Sequence, residues 1–444
     1  MTRVASAAVV VIVSCVVALA QSSRPTAPTL LEGARLIVGD GRVIENGALL
    51  IDGGAIARAG TRAEVVAPAG ANRIDVTGKT IMPGIVLAHG HVGYLRGTTF
   101  ARENYTRDNL IDHLTSYLYY GVVAMMSTGT DPGDLPFELR NGPHPGALFR
   151  TAGRGLAAPD ASTGNLAMRS VPYGVSTDED ARRDVRELAS KKPDFVKIWV
   201  DDRNGTVKKL SPQLYRAIID QAHKQRLRVI AHVYYLADAR DLVDAGVDGF
   251  LHLVRDEEMD DTLVKAMKAK QVFVTPNLST SEAGTYSNKP SWLDDPLLAE
   301  RASPEMIKKV ADVYAARAGG PPRTAAIASY QKQQRSVARL AAAGVTIALG
   351  DDTGIENTFY GYGEHRELEL MVAAGMSPMQ AIVAATKTAA ELLRLNRLGT
   401  LARGKSADFV VLDANPLDKI ANTKRIADVY QRGVRVDRAA MRSK

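Results

Sequence analysis

A chain of 444 residues can bury a large core and build about two or three domains, or one barrel with a satellite. Its 45% hydrophobic and 24% charged residues are those of an ordinary globular protein, and a net charge of +7 spread without a dense basic run argues against a nucleic-acid surface. The one cysteine, Cys15, falls inside an N-terminal apolar segment, so disulfides and thiol catalysis are excluded once that segment is removed.

Arg3 supplies a positive start, residues 4–20 are apolar, and Ala18-Leu19-Ala20 before Gln21 forms a small-x-small cleavage site. The pattern predicts a signal peptide over 1–20 and an exported protein, periplasmic or secreted, with no membrane segment in its mature form. A membrane anchor would need a longer span or a stop-transfer flank. Ile12-Val13-Ser14-Cys15 resembles a lipoprotein-type site only loosely, because the apolar residues 16–20 that follow fit it poorly.

Residues 22–28 are polar and broken by proline. Short apolar runs at 34–38, 48–51, 55–59 and 73–76, split by Gly and Asp, predict a small antiparallel sheet. The far end repeats this style at 408–413 and 429–436. Two β-rich ends flanking a different middle predict one composite β-sandwich from 29–80 and 396–440.

Over 81–395 the pattern becomes strand, then helix, repeatedly. The expected strands are 81–91, 122–128, 148–152, 195–200, 228–233, 249–254, 272–278 and 345–352, and helix-capable segments follow at 109–120, 178–190, 211–226, 237–245 and 260–270. Eight such units predict an α/β fold, a (β/α)8 TIM barrel with its active site at the C-terminal ends of the strands. A doubly wound sheet would want a Gly-rich phosphate turn after its first strand, and His89-Gly90-His91 is not one. The interval 279–335, holding Trp292 and Gly319-Gly320-Pro321-Pro322, is far too long for a βα loop. It predicts either a lid at the active-site face or a peripheral decoration.

The strand ends carry the chemistry. Pro83 through His91 is a buried-strand run ending in two histidines one residue apart, and strand alternation turns His89 and His91 to one face where they can grip one metal ion. Lys197, His232, His252 and Asp352 occupy the ends of later strands. Taken singly, each has a dull explanation as a core histidine, a salt-bridged lysine or a helix cap. Four of only eight histidines landing there together argue for a shared metal site. Along the last strand Val345, Ile347 and Leu349 are bulky while Thr346, Ala348 and Gly350 are small, which turns Asp352 into the crowded interior and leaves Asp351 to cap or support.

These motifs, with Gly399-Thr400-Leu401-Ala402-Arg403-Gly404-Lys405-Ser406-Ala407-Asp408 in the tail and Ser377-Pro378-Met379-Gln380-Ala381 before it, resemble the amidohydrolase superfamily over nearly all of the mature chain. The resemblance implies a (β/α)8 barrel with a binuclear centre of divalent metal, usually zinc, and a small β-sandwich. His89, His91 and Asp352 would then hold the deeper ion, His232 and His252 the outer one, and a carbamate on Lys197 would bridge them. A buried lysine beside cations loses its proton readily, and its amine can add carbon dioxide. Mononuclear deaminases of the superfamily lack this lysine and place a Glu soon after the fifth-strand histidine, whereas here His232 is followed by Val233-Tyr234-Tyr235-Leu236-Ala237. That favours hydrolysis, with Asp352 as general base and acid.

Within the superfamily the chain looks like the Xaa-Pro dipeptidase-like and imidazolonepropionase-related branch, through Asp194-Phe195-Val196-Lys197-Ile198-Trp199 and His232-Val233-Tyr234. That branch implies Tyr234 as a partner for a substrate carboxylate, so a small molecule with a carboxylate is the expected partner; Tyr94, three residues beyond His91, is a further candidate pocket residue. Many relatives carry Thr-Gly-Gly-His after the third strand where this chain has Ser162-Thr163-Gly164-Asn165, and His144 precedes that strand. N-acyl amino acid, carbamate, lactone, aryl-amide and phosphotriester substrates therefore stay open beside peptides. A catalytically silent binding protein, which would be expected to have lost a ligand, is the alternative class. Relatives often form homo-oligomers through barrel surfaces, and nothing in this sequence decides that.

Overall fold

The computed structural model of the protein describes residues 27–442. The segment 1–20, with Cys15 and the export reading that rests on it, lies outside the described residues.

Both ends of the chain meet in one mixed sheet of eight strands. Its order runs Val434–Arg435, Ile426–Gln431, Phe409–Leu412, Thr80–Pro83, Thr29–Ile37, Val43–Asp52 and Ala55–Thr61, with Asn72–Asp75 also pairing to Thr29–Ile37. The join is the antiparallel pairing of Phe409–Leu412 with Thr80–Pro83, where Val410 faces Met82. Leu31, Leu36, Leu49, Ile81, Phe409 and Val411 share one apolar cluster beneath it, each buried side chain contributing about 1.5–3 kcal/mol. Among the described residues the end strands thus pair in a single sheet, bulged at Glu32/Ala34 and Ala34/Leu36.

In the middle of the chain the strands are parallel and alternate with helices. Leu148–Thr151, Val122–Ser127 and Ile85–Gly90 form one sheet; Tyr173–Gly174, Leu156–Ala157, Val196–Val200, Val229–Val233, Gly249–Leu251 and Phe273–Thr275 form another. Every residue of Val122–Ser127 and Val196–Val200 is buried, as parallel strands covered on both faces require. Hydrogen bonds cross between the sheets at both margins: Ala348 N–H to Val274 O and Ala88 N–H to Leu349 O at one, Gly155 N–H to Gly129 O and Asp194 N–H to Thr151 O at the other.

The helices start where side chains can cap them. Thr177, Ser211 and Asp260 accept first-turn N–H groups of Asp178–Ser190, Pro212–Lys224 and Asp261–Ala269. The seventh strand, expected over 272–278, stops at Thr275 because Asn277 turns left-handed (φ 53°) and a helix begins at Leu278. The eighth, expected over 345–352, is an irregular run with isolated parallel bridges at Ile347 and, just beyond it, Thr353. Crowding explains this: a Cβ on Gly350 would stand 2.6 Å from Thr275 Cβ and 2.8 Å from His89 Cβ. Within 279–335 the chain forms Pro296–Ala299 and Pro304–Ala315, and the helix Thr324–Ala343 runs on from there into the approach to the last strand. No helix among the described residues is long and apolar enough to cross a membrane.

Candidate metal centre

Three histidines from two strand ends converge on one carboxylate. His89 Nε2 stands 3.1 Å and His91 Nε2 3.0 Å from Asp352 Oδ1, while His252 Nε2 faces Oδ2 at 3.8 Å. His232 packs against His252 with ring centroids 4.6 Å apart. His89, His252 and Asp352 together offer donor atoms within 4.8 Å of one another, close enough to share one ion. The backbone is bent to achieve this, since His252 (φ 77°) and Asp352 (φ 64°) both adopt the left-handed conformation, which costs of order 1–3 kcal/mol per residue.

Each imidazole but one is held by its other nitrogen. His91 Nδ1 lies 2.7 Å from Thr130 Oγ1, and His232 Nε2 lies 3.0 Å from Asp201 Oδ2. The Asn277 amide meets His89 Nδ1 at 2.8 Å. With its oxygen toward the ring, Asn277 accepts from His89 and from the Asp352 N–H (2.9 Å) and donates to Thr275 Oγ1 and O. His252 Nδ1 is buried without a partner among the described residues. Such bonds select the tautomer whose remaining nitrogen presents a lone pair to the centre.

Electrostatics keep these donors available. Burial pulls His89 down to about 4 against the attraction of Asp352, and it lowers His232 and His252 as well. Burial alone would raise the Asp352 carboxyl, but the neighbouring His89, His91 and His252 hold it well below the usual carboxylate range. Lys197, only 1% exposed, is pushed down to about 7 by burial, against the pull of Asp352. Its Nζ lies 4.8 Å from the centroid of Trp199, and Gly129 (φ 89°) leaves room for its stem, where a Cβ would stand 2.6 Å from Lys197 Cγ. Neutral imidazoles, an ionised carboxylate and a lysine poised to lose its proton are a donor set that fits a divalent cation.

The residues singled out from sequence are not all placed alike. Asp351 turns away from the histidines, its carboxylate taking the N–H and hydroxyl of Thr353. Tyr234 is half-buried beside the site, with the Arg255 guanidinium 5.8 Å from its ring centroid. Tyr94 is fully buried, stacked on Phe100, and donates its hydroxyl to the Thr130 carbonyl, so it supports the loop behind His91 and does not line open space. His144 bonds the carbonyl of Pro145, and Asn165 caps the helix Leu166–Arg169. Asn277, Thr130 and Asp201 were not reached from sequence. The one legible hint was Asn277, an asparagine just past a strand, which suits a left-handed turn.

Residues 80–436 match the model of the Amidohydrolase family. The chain is 27% identical to ochratoxinase from Aspergillus niger over 461 aligned positions, covering 91% of this chain and 86% of that one. Among solved structures it is similar to a prolidase complexed with N-methylphosphonate-L-proline, at 26% identity and TM-score 0.70 over 92% of this chain and 99% of the other. It also shares its fold with a Xaa-Pro dipeptidase with bound methionine, at 21% identity and TM-score 0.72 over 92% and 100% of the two chains.

Proposed function

The chain belongs to the amidohydrolase family, and from that premise we propose that it is an exported, binuclear metal-dependent hydrolase cleaving a peptide-like or N-acyl amino acid amide. The observation that carries the reading is the convergence of His89, His91 and His252 on the Asp352 carboxylate. The parallel strands alternating with helices are read as a (β/α)8 barrel over 81–395, and the bulged end sheet of 29–80 and 396–440 as a small sandwich. Residues 1–20 are read as a signal peptide, so the mature N-terminus should fall at about Gln21 by mass spectrometry of the natively exported protein.

His89, His91 and Asp352 would hold one ion, His232 and His252 a second, and a carbamate on Lys197 would join them. Support for the lysine's role is its burial with no ion pair among the described residues. Divalent ions, when bound, supply Lewis acidity and make water acidic enough to attack near neutral pH. Asp352, at the centre of the histidines, takes the proton from the attacking water and returns it to the leaving amine. Thr130, Asn277 and Asp201 keep the imidazoles oriented while this happens. Prolidase and ochratoxinase, the names borne by similar proteins, support an amide with a carboxylate nearby.

Metal analysis together with one substrate panel tests this. About two zinc ions per chain, and turnover of N-acyl amino acids or Xaa-Pro dipeptides ahead of lactones, carbamates and phosphotriesters, is the expected result. A chain that binds no metal after careful preparation would be a silent binding protein. Preference for a lactone or phosphotriester would keep the centre and replace the substrate.

A further inference from the structure

Building on that amide-hydrolase reading, we propose that Arg255 is the ionic anchor for a substrate carboxylate, standing with Tyr234 beside the strand ends that carry His232 and His252. Arg255 lies three residues past His252, and its main chain is fixed from two sides. Its N–H donates to the Tyr234 carbonyl at 2.8 Å, and its carbonyl accepts from Ser329 Oγ, also at 2.8 Å, on the helix Thr324–Ala343. The next residue is tied down too, Asp256 Oδ1 accepting from the Leu236 N–H at 2.9 Å. The position is therefore rigid, and it ties the fifth and sixth strand ends to the helix that closes the long insertion.

The enclosed part of the side chain lacks a partner among the described residues. Its Nε is enclosed without a hydrogen-bond partner, and its guanidinium makes no ion pair among the described residues. Other partly buried arginines are paired: Arg366 with Glu282 and Glu369, Arg140 with Asp194, Arg438 with Glu300. Arg255 stands in the field of the centre, its charge opposing protonation of His232 and His252 and attracted by Asp201 and Asp352. A half-buried guanidinium whose enclosed Nε has no partner among the described residues is left with its planar fork free to match a carboxylate. Tyr234, whose ring centroid is 5.8 Å from the guanidinium carbon, flanks the same position. With two aspartates already close by, a singly charged carboxylate is the anion that suits it, and an acid placed next to the scissile amide describes an N-acyl amino acid or a dipeptide.

The test compares wild type with Arg255→Met and Arg255→Lys, all loaded with zinc. The substrates are N-acetyl-L-methionine and its decarboxylated counterpart, N-[3-(methylthio)propyl]acetamide; binding of L-methionine is followed by calorimetry. The anchor predicts that Arg255→Met keeps wild-type metal content and raises KM for N-acetyl-L-methionine at least tenfold with kcat little changed. It leaves kcat/KM for the decarboxylated amide unmoved, and Arg255→Lys recovers part of the loss. Equal losses on both amides would make Arg255 a structural residue and overturn the proposal. So would a wild type that processes both amides equally well, though amide hydrolysis would then stand. If neither amide turns over, the hydrolase reading is in question while the anchor is still decided by calorimetry. Tenfold weaker L-methionine binding to Arg255→Met supports it, and equal or absent binding to wild type and variant overturns it.

Discussion

Asn277 joins the two halves of the proposed centre, because one amide oxygen serves both the His89 ring and the Asp352 backbone. Replacing it by alanine removes the acceptor and places a residue that resists φ 53° in a left-handed turn. Metal affinity is expected to fall about ten- to a hundredfold, measured by chelator competition, with Asn277→Asp retaining more because it keeps an oxygen and tolerates the turn. Unchanged affinity in Asn277→Ala would show that His89 needs no such support. Asp352→Asn is expected to leave metal content near normal and cut turnover by about a hundred- to ten-thousandfold; full activity in that variant would end its role as base. Side-chain alternation along the last strand points to Asp352 as the inward carboxylate and leaves Asp351 to cap or support. What was not legible were contacts such as Thr130 to His91 and Asp201 to His232, which join residues 39 and 31 positions apart. No local pattern records such pairs, since any threonine or aspartate could have supplied them.

At the level of elements, the helices were the readable part because their ends are chemically marked. Thr177 with Asp180 closes a capping box at the start of Asp178–Ser190, and a Ser or Asp stands before two other helices. The last two strands were harder. Their sequences are apolar and strand-like, yet the first breaks at Asn277 and the second stays irregular up to Asp352, both residues turning left-handed (φ 53° and 64°). Gly350→Ala tests this directly: its Cβ would meet Thr275 Cβ at 2.6 Å and His89 Cβ at 2.8 Å, both close to the main chain and unable to swing aside. Loss of about 1–3 kcal/mol or more in unfolding free energy is expected, together with weaker metal retention because His89 is displaced. A variant as stable as wild type by urea titration would mean that the strand can shift after all. The long interval 279–335 was legible as an insertion, but its end was not, since the helix Thr324–Ala343 runs without a break through residue 335.

Across the whole molecule, the end sheet is lashed to the helical region by buried polar contacts. His365, on the helix Tyr362–Ala373, bonds the Thr423 hydroxyl with Nδ1 (3.0 Å) and the Tyr120 carbonyl with Nε2 (2.9 Å). Nearby, Lys424 pairs with Asp295 at 2.8 Å and Glu369 at 2.9 Å, tying the same C-terminal stretch to the insertion. Burial pushes His365 down to about 4 from its ordinary 6.5, against the bond to the Tyr120 carbonyl. Between those two values the unfolded chain binds a proton that the folded chain refuses. The stabilisation is therefore complete above pH 6.5 and is lost as pH falls toward 4. A shift of this size corresponds to roughly 3–4 kcal/mol at full development. Urea titrations of wild type and His365→Gln at several pH values from about 7.5 to about 3.5, a span that brackets the ordinary and the lowered histidine values, should show a less stable variant at neutral pH whose stability declines less steeply on acidification. Parallel curves for the two proteins would show that His365 does not carry the acid sensitivity, and would move the search to His113, also buried and held down to about 4.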